Sequence, residues 1–123
     1  MTAQGSAHSR LRRALDNGAS SLVVRALALE AGRLELDDAL AVCLVLLKEE
    51  PDAYVTWAAR WAGRFICEAK ADVDEAAFVL AALGALRGRA RVPAARALED
   101  VCERSGQTRS AAVLERWLAN REL

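Results

Sequence analysis

A single histidine, His8, bounds the acid–base chemistry open to this sequence. Nucleophilic sites of the Ser-His-Asp or Cys-His kind need an imidazole held in a core-supported position. His8 falls in the opening stretch MTAQGSAHSR, where no apolar pattern has begun, so the sequence predicts a solvated side chain. Cys43, Cys67 and Cys102 lie far apart in the chain. A zinc site draws about four Cys or His ligands at short spacings, so no metal is expected. Three is an odd number, which excludes complete internal pairing. All three are expected as reduced thiols, packed as small core residues in a cytoplasmic protein. The carboxylate clusters Asp37/Asp38 and Asp72/Asp74/Glu75 could in principle share protons or hold a hard cation. Both stand where helices begin, and there capping and the helix dipole use them. Gly84, Gly88 and Gly106 are isolated and form no phosphate loop. The expectation is a chain that is not an enzyme and needs no cofactor.

Two sets of residues could bind rather than react. Trp57, Arg60, Trp61 and Arg64 are spaced to lie on adjoining rows of one helix. Tryptophan and arginine are the types most enriched at binding hot spots, and a guanidinium grips carboxylate or phosphate with two parallel bonds. Arg87, Arg89 and Arg91 form a short basic segment, with Arg96 beyond it, and Arg10, Arg12 and Arg13 form another. Such clusters could touch a phosphate backbone, but they lack interleaved aromatic residues. The 17 basic and 17 acidic residues cancel, which argues against a surface tuned as a whole to nucleic acid or anionic lipid.

These side chains must be positioned by helices. Alanine, leucine and arginine dominate, all strong helix formers, and no segment alternates with the period of a strand. Residues 1–7 are expected as a disordered tail, with no apolar segment that would make a secretory signal. Residues 8–123 are expected as one all-helical domain. Helices are predicted from about Ser9 to Asp16, ended by Asn17-Gly18, and from Ser20/Ser21 to Ala31, ended by Gly32. Further helices follow from Asp37 to Glu49 and from Pro51 to Ala69, with proline in the first turn. Asp72 with Glu75 resembles a capping box opening the fifth, which stops at Gly88. Pro93 opens the sixth, and Thr108 caps the seventh. Tyr54, Ala58, Trp61, Ala62 and Phe65 form one apolar stripe, and Val55, Ala59, Ala62 and Ile66 a second; Leu22, Ala26 and Leu29 line a face broken only by Arg25. Ala39–Leu47 and Ala76–Leu86 are apolar on every side, so both are expected to be covered on every side. Neither reaches the roughly 18–20 apolar residues of a membrane helix, so no membrane association is expected.

The chain also resembles itself. The segments from Leu27, Phe65 and Asp100 each carry a glutamate near the end of one helix (Glu30, Glu68, Glu103), then a turn, then an alanine opening the apolar part of the next (Ala39, Ala76, Ala111). A lone hairpin cannot bury its apolar face, so neighbouring hairpins stack. With Ala39 as the small residue of a second helix, Pro51 closing the repeat and Trp57 opening the next, residues 22–87 resemble the tetratricopeptide class of helix pairs. HEAT-like and other hairpin arrays remain open. The resemblance implies a groove that binds partner proteins. The fold expected is all-α: a compact array of about seven helices stacked as repeated hairpins, solenoid-like or bundled. The function expected is protein–protein interaction. The alternatives are nucleic-acid binding through the arginine clusters and an apolar-ligand site among the greasy helices, and a homodimer is possible.

Overall fold

The structure, a computed structural model, describes residues 3–122, with side chains from 7 to 121. Among the described residues there are seven helices and no strand: α1 (Ala3–Asp16), α2 (Ser21–Ala31), α3 (Leu36–Glu49), α4 (Pro51–Glu68), α5 (Val73–Ala85), α6 (Arg91–Arg104) and α7 (Thr108–Glu122). The chain divides into two units, Met1–Trp57 and Ala58–Leu123, and the boundary falls inside α4.

In the first unit α1 packs on α2 and α3, and α2 packs on α3. Leu11 of α1, Val24 and Ala28 of α2, and Leu40 and Cys43 of α3 are buried. Every residue of α3 from Leu36 to Leu47 is buried or half-buried, as its unbroken apolar sequence requires. Polar groups stitch the edges. Arg10 pairs with Glu30, Arg12 with Asp38 and Arg25 with Glu50, while the Ser21 N–H donates to Glu49 at 3.0 Å. Ser20 caps α2, its hydroxyl accepting from the Val23 N–H.

The N-terminus departs from expectation. Helix α1 begins at Ala3, Ala7 is buried, and His8 is half-buried inside a helix. Ala7 and Leu11 stand one turn apart and share the buried face, but a lone alanine among polar neighbours carries no visible periodicity. Met1 and Thr2 of the expected tail lie outside the described residues.

In the second unit α5 packs on α6, and α6 on α7. Val79, Leu83 and Leu86 are buried, as are Ala95, Leu98, Cys102 and Leu114. The stripe Trp61, Ala62 and Phe65 of α4 is buried, and the Trp61 and Phe65 rings stack at 5.3 Å. The second stripe predicted on α4 is not buried as a unit, because Val55 and Ala59 are exposed. Asp72 caps α5 with a complete capping box: its carboxylate accepts from the Glu75 N–H at 2.8 Å, and Glu75 accepts from the Asp72 N–H. Such a cap stabilises by about 1 kcal/mol.

Helices α1, α4 and α6 end alike. The N–H of Ala19, Ala71 and Gln107 reaches back to the carbonyl of Ala14, Ile66 and Cys102, respectively. The residue before each is left-handed: Gly18, Lys70 and Gly106. Glycine adopts that conformation freely. Lys70 does so with a side chain, the one such non-glycine among the described residues, at a cost of about 1–2 kcal/mol.

Candidate interaction surfaces

The residues with chemical potential are engaged in packing. His8 Nε2 lies 3.0 Å from the Arg33 carbonyl, so the ring bridges α1 and the loop after α2 and is not a tail group. Cys43 and Cys102 are buried, and burial pushes both thiols up to about 12. Cys67 is exposed, against the expectation of three core thiols. It faces away from the stripe that buries Phe65. Among the described residues no three His, Cys, Asp or Glu side chains gather as a metal site. Among the described residues no helix is long and apolar enough to cross a membrane.

Asp38 was expected at a helix start, acting on the dipole of α3. It does stand in the first turn, but it is buried and its carboxylate accepts from Arg12 Nε at 3.2 Å. Burial raises its pKa above 3.8, Asp37 adds to the rise, and Arg12 opposes it. The sign follows from linkage. The fold favours the protonated carboxyl, so this group's stabilising contribution is present below 3.8 and is lost as pH rises through the raised value. At neutral pH the buried charge is therefore a net cost. Asp38→Asn is expected to be at least as stable as the parent at pH 7 in urea denaturation, with the difference closing as pH falls toward 3.8. A clear loss of stability at pH 7 would show that the Arg12 pair outweighs desolvation.

The predicted binding residues separate. Trp61 is core and closed to any partner. Trp57 is half-buried and Arg60 exposed, while Arg64 is half-buried and paired with Glu68 at 3.1 Å one turn on. Arg87, Arg89 and Arg91 are all exposed around the α5–α6 connection. The Arg87 and Arg91 Nε groups donate to the Gly84 and Gly88 carbonyls. Arg10 and Arg12 are taken up by Glu30 and Asp38. Arg121 stands 4.2 Å over the Trp117 ring, and its pKa is lowered by burial and by Arg91 nearby.

The prominent surfaces are ones the periodicity had assigned to the core. On α2 the buried face is Ser21, Val24, Ala28 and Ala31. Leu22 and Leu29 are 77% and 67% exposed, with Val23 and Ala26 beside them. Helix α5, expected to be covered all round, buries only Val79, Ala82 and Leu83. Val73 is 83% exposed and Leu80 51%, and Ala77, Ala81 and Gly84 lie exposed on the same side. A legible signal was present: Val79, Leu83 and Leu86 recur on one side, whereas Ala77, Ala81 and Gly84 make the other narrow and smooth. Neither a protein-family model, nor a curated protein, nor a solved structure matches the chain.

Proposed function

We propose that the chain is a non-catalytic protein–protein interaction module that presents apolar helix faces to a partner protein. The observation that carries this reading is the solvent-facing side of α5, where Val73, Ala77, Leu80 and Ala81 form an apolar strip with Asp74 the one exposed charge of the helix. Scattered apolar residues on a surface mean little, but a contiguous strip marks a contact surface. The Leu22, Ala26 and Leu29 strip on α2 is a second instance. The helix-pair period similar to tetratricopeptide arrays supports the same reading, and so does the use of His8, Cys43 and Cys102 in packing.

The test is site-specific photocrosslinking in source extract, with the photoreactive residue in place of Leu80 or Leu22, followed by binding measurements on the purified pair. A discrete crosslinked protein is expected, whose binding is lost in Leu80→Asp or Leu22→Asp at unchanged helicity. Failure of both positions to crosslink any protein, with the purified chain a lone monomer, would refute the reading.

A second reading, nucleic-acid binding, is favoured by the closeness of Arg91 to Arg121 on its Trp117 ring, since stacked arginine and tryptophan suit bases and phosphates. A fluorescence titration at low salt decides it, because the phosphate contribution is strongest there.

A further inference from the structure

We infer that the occupant of the exposed α5 face is a second copy of this chain, paired antiparallel about a two-fold axis; this rests on the interaction reading above. Val73, Ala77, Leu80 and Gly84 are spaced four, three and four residues apart and are all exposed. That is the spacing of a seam along which two helices interlock. Reversing the helix against itself sets Val73 opposite the partner's Gly84 and Ala77 opposite the partner's Leu80. Each layer then joins a large side chain to a small one, and the backbones can approach closely. A parallel pair would set Leu80 on Leu80 and leave gaps at Ala77 and Gly84.

Charge complementarity selects the same arrangement. The N-terminal end of the seam carries exposed Asp72 and Asp74, and the C-terminal end carries exposed Arg87 and Arg89. Antiparallel pairing brings the acidic end of each copy alongside the basic end of the other, twice over by symmetry, and opposes the helix dipoles favourably. Parallel pairing would bring acid to acid and base to base. A partner of either uniform charge would meet repulsion at one end, whereas a reversed second copy sets Asp72 and Asp74 beside Arg87 and Arg89, with the exposed Lys70 the one like charge on the acidic end.

Sedimentation equilibrium of the full chain over a wide concentration range tests this. The parent is expected to dimerise, more weakly at high salt. Leu80→Asp changes an exposed position, so helicity should hold, yet the dissociation constant should rise by about a hundredfold or more, because the seam contains Leu80 from both copies. Asp74→Arg alone should weaken the dimer, and adding Arg87→Asp should restore it. A dimer indifferent to Leu80→Asp, or a double variant no tighter than Asp74→Arg, would overturn the pairing. So would a parent that stays monomeric at every concentration. If that monomer still crosslinks a different protein through position 80, the interaction reading survives and only the identity of the partner fails.

Discussion

One thiol of the three, that of Cys67, is expected to react promptly with iodoacetamide in the native protein, leaving Cys43 and Cys102 untouched until the chain unfolds. The thiolate is the reacting species. Burial disfavours that anion at both core positions and moves the thiols from 9.0 to about 12; at Cys102 the nearby Glu103 and Glu99 push in the same direction. The rise keeps both side chains in the unreactive thiol form at mildly alkaline pH, and the closed packing around both sulfurs slows attack further. Cys67, on the exposed side of α4, is open to the reagent. Timed alkylation followed by peptide mass spectrometry, with and without denaturant, reads all three sites at once. Modification of Cys43 at a rate near that of Cys67 would mean that α3 opens readily, contradicting the burial of Cys43.

The helices themselves were legible because each boundary carries its own local chemistry. Gly18 and Gly106 adopt the left-handed turn that ends a helix and Gly32 takes a positive φ of another kind, Ser20 caps α2, and Asp72 with Glu75 closes the box at α5. The stripe on α4 from Tyr54 to Phe65 was legible because its large residues recur at helical spacing while Thr56, Arg60 and Arg64 recur on the other face. What stayed hidden was which side of an apolar helix meets water. Helices α3 and α5 both carry a run that is apolar on every side, yet α3 is covered from Leu36 to Leu47 and α5 on one side only. Hydropathy sets the tendency to be buried; the neighbours that do the covering are fixed by tertiary arrangement. The same limit explains α2, where leucines at 22 and 29 outweigh Val24 and Ala28 by size, yet the smaller pair is buried. It explains the arginines too. Arg10 and Arg12 seemed a free basic cluster, but the acids that engage them, Glu30 and Asp38, arrive from helices later in the chain.

Trp61→Ala is expected to destabilise the protein by about 3–5 kcal/mol, the range for deleting a large buried aromatic side chain. Trp61 is among the largest fully buried side chains, and its ring stacks on Phe65, itself fully buried. Truncation removes the burial of the indole, the stacking contact and the packing of its neighbours together, and a cavity is left wherever the surroundings do not close. Domains are stable by only about 5–15 kcal/mol in total, so this one change removes a large share of what holds the fold. Trp57, half-buried four residues earlier on the same helix, should cost much less, and exposed Arg60 should fall within about 0.5 kcal/mol of the parent. Urea denaturation followed by far-ultraviolet circular dichroism measures all three without relying on tryptophan emission, which the substitutions themselves alter. The order Trp61 far above Trp57, and Trp57 above Arg60, is the content of the prediction. A Trp61→Ala cost near that of Arg60→Ala would mean that the Trp61–Phe65 stack does not anchor α4. Where the order holds, any binding lost in Trp57 or Arg60 variants reports on contact with a partner, because the fold in those variants is intact.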